Sequence, residues 1–267
     1  MRHPYFDLPR PIPVGHRGAS GELPENTLPA FERALEQGAR IVETDVHPSA
    51  DGVAVIFHDH ELDRTTDGSG PVSARTLDAL RRLDAGYHFS PDGGRTFPTR
   101  GARIGIPTLE EAFERFPEAR FNIELKSGDA AFVERVVKLV AGAGREDRTL
   151  LTAASDDVMA ELRGVLGRTG VSVAMGASTG DCIAFVKAAA AGVAPPPEPM
   201  ALQIPTHFGP NPLVTPELLA HAHAHDIQVH VWTINDVAEI ERLLALGVDA
   251  VMSDHPIRVV EAIARLG

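Results

Sequence analysis

The chain has one cysteine, Cys182, in 267 residues. A single thiol excludes an intramolecular disulfide framework and any metal site built from clustered cysteines. Long apolar runs are also missing. No stretch approaches the roughly 18 uninterrupted apolar residues of a membrane-spanning helix, and the first ten residues lack the apolar core and small-residue cleavage site of a secretion signal. The expectation is a soluble cytoplasmic protein without stable membrane insertion. Positive charge is scarce too, with Lys+Arg at 25 against Asp+Glu at 37 and a formal net charge of −12. Such a surface repels polyanions and excludes nucleic acid as a partner. An anionic small-molecule substrate would need a local cationic site. Neither a G-x-G-x-x-G turn after a strand nor a G-x-x-x-x-G-K-[ST] loop occurs, which removes the commonest nucleotide-binding devices.

What is present is a rhythm. Short runs rich in β-branched residues fall at 12–15, 41–46, 121–125, 150–153, 171–175, 201–204, 229–233 and 250–253. Helical patterns lie between and after them, at 27–37, 109–116, 130–141, 156–166, 182–191, 216–224, 235–246 and 256–265. Thr215-Pro216 and Asn235-Asp236 supply helix starts, Glu25 and Asn26 read as the cap of the first helix, and Gly38 and Gly247 stand where helices stop. Eight units at about 30 residues each match an α/β protein of the (β/α)8 TIM-barrel type. A doubly wound open sheet usually carries about five or six. One segment breaks the rhythm. After an extra run at 53–57, residues 60–105 are polar and punctuated by Gly and Pro, and read as a small insertion after the second strand, a cap within one catalytic domain spanning 1–267.

The polar residues gather where barrel strands end, which is where barrel active sites lie. His16-Arg17 follow the first strand, Glu43 and Asp45 close the second, His58 ends the added run, and Glu124 and Lys126 close the third. Glu43 and Asp45 are two apart on a strand, so both carboxylates share a face, and Glu124 and Lys126 repeat that spacing. Buried charges must be paired or metal-bound. Three carboxylates without thiols suit a hard cation, Ca²⁺ or Mg²⁺. Ion pairing with Arg17 and Lys126 alone is the competing reading. With a divalent ion and both cations counted, one positive charge is left over, fitting a phosphodiester. Two imidazoles, His16 and His58, suit proton transfer to and from phosphate oxygens near neutral pH.

The blocks Gly15-His16-Arg17-Gly18, Pro24-Glu25-Asn26-Thr27, Glu43-Thr44-Asp45-Val46, His58-Asp59, Leu62-Asp63-Arg64-Thr65-Thr66, Asn122-Ile123-Glu124-Leu125-Lys126, Val231-Trp232-Thr233 and Gly247 to Asp254 together resemble the glycerophosphodiester phosphodiesterase family, in order and in spacing. The resemblance runs from Val14 to near the end of the chain. It implies a TIM barrel with an insertion, and metal-dependent hydrolysis of glycerophosphodiesters such as glycerophosphocholine or glycerophosphoethanolamine to glycerol 3-phosphate and an alcohol. It further implies His16 and His58 as the general acid/base pair, Glu43, Asp45 and Glu124 as ligands of Ca²⁺ or Mg²⁺, Arg17 and Lys126 as partners of the phosphate, and Trp232 as an aromatic wall of the substrate pocket.

Two other activities fit parts of this pattern. A lysophospholipase D would use the same chemistry with an apolar groove for an acyl chain, which the insertion could supply. A Schiff-base lyase would use Lys126 as nucleophile, although the adjacent Glu124 favours its protonated form. Arg64 reads as an ion-pair residue holding the insertion, and Tyr87, His88, Phe89 and Phe97 read equally as a lid or as the insertion's own small core. Of His221, His223 and His225, only the first and last share a helix face, and all three read as surface residues at the non-catalytic end.

Overall fold

The structure is a computed structural model that describes residues 3–266. Strands β1 (Ile12–His16), β2 (Ile41–Pro48), β4 (Arg120–Leu125), β5 (Thr149–Thr152), β6 (Ala174–Met175), β7 (Ala201–Ile204), β10 (Gln228–Val231) and β11 (Ala250–Ser253) form one parallel sheet. Its order is β6-β5-β4-β2-β1-β11-β10-β7, so the last strand lies against the first. The two ends of this path meet where Met200 donates its N–H to the carbonyl of Met175 at 3.0 Å. The sheet is therefore a nearly closed eight-stranded barrel, as the βα rhythm predicts. A short strand, β3 (Ala54–Ile56), pairs antiparallel with β2, and an exposed hairpin, β8 (His207–Phe208) with β9 (Asn211–Pro212), follows β7.

Alternation along each strand divides the protein into two kinds of core. Outward-facing Val42, Val46, Phe121, Ile123 and Leu151 pack against the helices. Inward-facing Ile12, Val14, Ile41, Leu150, Ala174, Ala201, Ala250 and Met252 fill the barrel. Three of these are alanines, too small to fill it alone. The space is taken by Tyr5 and Phe6, delivered from below by a 3₁₀ turn at Pro4–Phe6 and packed edge to face with centroids 5.1 Å apart.

Around the barrel lie α1 (Leu28–Glu36), the short α2 (Leu77–Leu80), α3 (Leu109–Arg115), α4 (Ala130–Gly142), α5 (Asp156–Thr169), α6 (Thr179–Ala191), α7 (Pro216–Ala224), α8 (Val237–Leu246) and α9 (Pro256–Leu266). The starts of α1 to α8 follow side-chain capping. Thr108 and Glu111 form a reciprocal capping box at α3, and Ser178 with Asp181 does the same at α6, which begins α6 three residues before the apolar pattern does. One expected cap is corrected. Thr27 caps α1, not Glu25 or Asn26; Asn26 sits at φ 57° and turns its side chain into the barrel mouth. The expected strand at 171–175 shrinks to two residues, and the one at 229–233 stops at Val231.

Between β3 and α3 the chain makes a separate small core from Val55, Phe57, Leu62, Val72, Leu80, Ala85 and Ile106. The buried Asp84 carboxylate organises this excursion by accepting backbone N–H groups of Gly86, Gly101 and Ile104. Arg100 stacks on Phe97 at 3.8 Å and on Tyr87 at 4.7 Å, so two of the insertion's aromatics are partners to one another through a cation.

Candidate active site

His16 is the third inward residue of β1 and rises at the barrel mouth. Its ring Nδ1 lies 2.7 Å from Asp254 Oδ1, just beyond β11. Asp254 is held in turn by Ser20 Oγ at 2.9 Å and Asn235 Nδ2 at 2.6 Å. Burial works against the carboxylate, but the His16 hydrogen bond and charge, with Asn235 and Ser20, hold Asp254 down at about 2. Burial likewise works against a charged His16, yet the hydrogen bond to Asp254 and the negative charge of Glu43 leave its pKa raised. The next residue, Arg17, occupies the left-handed region at φ 54°, which aims its N–H at Glu43 Oε2, 3.0 Å away. A strained non-glycine backbone of this kind is characteristic of functional sites. Gly18 makes the turn possible: its φ is +87°, and a Cβ there would stand 2.6 Å from the Ala30 backbone.

Strand register then assembles the carboxylates. His16 pairs with Glu43, and Asp45 with Glu124. Asp45 is fully enclosed, accepting from Asn26 Nδ2 at 3.0 Å and lying 3.0 Å from Lys126 Nζ, which also reaches Glu124 Oε1 at 2.9 Å. Burial would raise the Asp45 pKa, but Lys126, His58 and Arg17 outweigh it and the group stays ionised. Glu43 differs. Burial and repulsion from Asp45 push it up to about 7, with only partial relief from His16 and Arg17. Lys126 is raised despite burial because Asp45 and Glu124 flank it. Its two carboxylate partners, at 3.0 and 2.9 Å, favour the ammonium form and weigh against the Schiff-base reading.

His58 follows β3 with its Nδ1 2.5 Å from Asp59 Oδ1. Arg64 grips Asp59 through Nε at 2.6 Å and Glu25 through both terminal nitrogens at 2.7 Å, and Glu25 in turn meets Arg17 at 2.8 Å. Hydrogen bonding from Arg64 holds Asp59 well below the usual carboxylate range. Arg64 thus ties the insertion to the barrel mouth. His47, also buried, places Nε2 3.1 Å from the His58 carbonyl oxygen.

His16, Arg17, Glu43, Asp45, His58, Glu124, Lys126 and Trp232 line one cavity of about 270 Å³ together with Asn122, Thr152 and Gln203. All eight residues singled out from the sequence are therefore brought together. Trp232 stands at its rim, 41% exposed. Larger clefts of 650 and 660 Å³ open at the other end of the barrel, away from these residues. Asp249 there is held by Arg10 and His223, and Arg145 by carbonyls of Phe116, Pro117 and Ala119. His223 is thus half-exposed and paired with a buried acid, not a plain surface residue. Sequence reasoning assigned no role to Asp254 or Asp59. The available signals were an acid at the end of the last strand, which barrel closure sets beside the first, and an acid directly following His58.

Could these residues hold a metal ion? Among the described residues no three acidic or histidine side chains converge at ligating distance, because the Lys126 ammonium sits between Asp45 and Glu124. The chemistry of the donors nevertheless fits a hard divalent cation: they are all oxygens, and Glu43 and Asp45 are buried carboxylates two residues apart on β2. Among the charged residues that line the cavity, Glu43, Asp45 and Glu124 also outnumber Arg17 and Lys126.

Residues 16–258 match the model of the glycerophosphoryl diester phosphodiesterase family, and the chain belongs to that family. It is 29% identical to a glycerophosphodiester phosphodiesterase of Caldanaerobacter subterraneus over 95% of this chain and 98% of that protein. It is 31% identical to one of Bacillus altitudinis over 92% and 95%. A rat protein named as a lysophospholipase D is 27% identical over 92% and 84%. Among solved structures, an Oleispira antarctica phosphodiesterase in complex with the product sn-glycerol 3-phosphate superposes with a TM-score of 0.76 at 28% identity, covering 98% of this chain and 99% of that one.

Proposed function

We propose that the cavity hydrolyses glycerophosphodiesters to glycerol 3-phosphate and an alcohol, with His16 and His58 as its acid/base pair. One observation carries the assignment: two histidines, each tied at Nδ1 to its own aspartate, line the same cavity. A carboxylate at Nδ1 fixes the proton on that nitrogen and leaves Nε2 as the exchanging atom. His16 and His58 can therefore each take up or release a proton at Nε2, which the nucleophile and the leaving oxygen of a diester both require. Arg17 and Lys126 supply the positive charge that meets the phosphate.

Glu43, Asp45 and Glu124 would hold a divalent cation, Ca²⁺ or Mg²⁺, and the ion would add Lewis-acid stabilisation of charge on the phosphoryl oxygens. The all-oxygen donor set and the burial of Glu43 and Asp45 support this reading. Residues 60–105 would act as a cap over the mouth, anchored through Arg64 to Glu25. Among the described residues no helix is long and apolar enough to cross a membrane.

The experiment is glycerol 3-phosphate release from glycerophosphocholine by EDTA-treated protein, with Ca²⁺ or Mg²⁺ restored in parallel and lysophosphatidylcholine as second substrate. Release that returns with metal and is lost in His16→Ala and His58→Ala is the expected result. Full release without metal would overturn the ligand assignment. Choline release confined to the lysolipid would replace the short diester as substrate.

A further inference from the structure

The two histidines at the cavity are anchored in different ways. His16 belongs to β1, which is flanked by β11 and β2, and it stands in register with Glu43. His58 lies past the end of β3. The last backbone bond before it runs from the Phe57 N–H to the Asp45 carbonyl at 3.0 Å. Among the described residues no backbone-to-backbone hydrogen bond reaches His58 itself. Its ring is tied to Asp59, but Asp59 is the next residue on the same turn. That bond fixes the pair to each other and not to the barrel. If the turn shifted, both would drift from His16 together.

His47 reaches this turn from the barrel wall. Like Glu43 and Asp45 it falls on every second residue of β2, so it shares their face. It is in register with Val55 on β3 and is buried. Its Nε2 lies 3.1 Å from the His58 carbonyl oxygen. A carbonyl only accepts, so this nitrogen carries a proton and donates it. The same ring meets His60 edge to face, with centroids 5.1 Å apart. One buried side chain thus braces the turn at both His58 and His60. We infer that His47 is a positioning residue for the reaction: its hydrogen bond to the His58 carbonyl sets where the His58 imidazole stands relative to His16 and the phosphate. This inference rests on the acid/base role proposed for His58. Misplacing a reacting group by about 1 Å can cost on the order of a hundredfold in rate, so loss of the anchor should fall on kcat. Arg17 and Lys126 are held by Glu25, Asp45 and Glu124, so binding of the phosphate should be spared.

The test compares His47→Gln, His47→Asn and His47→Leu on glycerophosphocholine. A glutamine amide can present its nitrogen near the place of imidazole Nε2; asparagine is one carbon shorter, and leucine has no donor. Calorimetric titration with glycerol 3-phosphate counts the competent sites in each preparation, so kcat is expressed per intact site. His47→Leu and His47→Asn are expected to lose about tenfold or more in kcat, with KM within about twofold. His47→Gln should recover to within about threefold of the unaltered chain. If His47→Leu does not fold, His47→Gln and His47→Asn decide alone. A kcat for His47→Asn within about threefold of the unaltered chain, equal losses in His47→Gln and His47→Asn, or a loss confined to KM would overturn the inference. Full activity in His58→Ala would instead overturn the acid/base reading, and the inference with it.

Discussion

The His16 ring and the Asp254 carboxylate meet at 2.7 Å although 238 residues separate them in the chain. Barrel closure brings them together: β1 runs beside β11, with Gly15 in register with Ser253. The carboxylate does more than hold the ring. Its own oxygens are occupied by Ser20 and Asn235, so it cannot swing away from Nδ1 without breaking those bonds.

Replacing Asp254 by Asn should therefore damage turnover more than binding. The amide would fit the same space, but its NH₂ can present a donor to Nδ1 and favour the wrong tautomer. In comparable histidine–carboxylate pairs such a change costs about a hundredfold or more in kcat. The check is steady-state kinetics on glycerophosphocholine, read as kcat separately from KM. A kcat within threefold of the unaltered enzyme would show that Asp254 does not position His16.

The same substitution makes a statement about acid stability. The folded-state pKa of Asp254 is lowered to about 2, against about 3.9 in an unfolded chain. A depressed carboxylate contributes stability above its unfolded value and loses it as pH falls through the folded value. The difference in unfolding free energy between the unaltered protein and Asp254→Asn should thus be largest above about pH 4 and shrink by about 2 kcal/mol towards pH 2. Denaturant titrations at three pH values across that window measure it, and a difference independent of pH would contradict the linkage.

Much of the barrel was legible because its signal is local and repeated. Period-two alternation on β2 already puts Glu43 and Asp45 on one face, and the end of β4 repeats it with Glu124 and Lys126. What the sequence could not display is fit between distant parts. The Tyr5 ring belongs in the barrel only because Ala174, Ala201 and Ala250 leave space there, and no pattern within residues 4–6 announces it. Asn26 looked like a helix cap because its neighbour Thr27 is one, yet Asp45 and Thr44 compete for its amide and win. The partnerships of Asp254 with His16 and of Arg64 with Glu25 are likewise products of closure.

The Tyr5 plug carries its own prediction. Tyr5 is fully buried and its hydroxyl has no hydrogen-bond partner among the described residues. Tyr5→Ala should cost about 3–5 kcal/mol, the range for deleting a buried aromatic ring. Tyr5→Phe removes only the unpaired hydroxyl, whose burial costs about 1–3 kcal/mol, and should hold or raise Tm. Thermal unfolding of the two variants separates the ring from its oxygen. A Tyr5→Phe variant as unstable as Tyr5→Ala would show that the hydroxyl is bonded inside the barrel.

Arg64 links the insertion to the catalytic mouth through two carboxylates at once, Asp59 behind His58 and Glu25 behind Arg17. Its planar fork meets each with paired N–H groups, a geometry that a lysine ammonium cannot reproduce. Arg64→Lys would keep the charge but lose one of the two grips, freeing either Asp59 or Glu25 to reorient. Because both carboxylates hold residues that line the cavity, His58 and Arg17, the loss should fall on kcat/KM, by about tenfold, and Arg64→Ala should be no worse than a few-fold beyond that. Kinetics of the two variants beside Arg64→Gln, which keeps donors without charge, decide between geometry and charge. Full activity in Arg64→Lys would mean that charge alone is needed and that the bidentate contacts have no catalytic consequence.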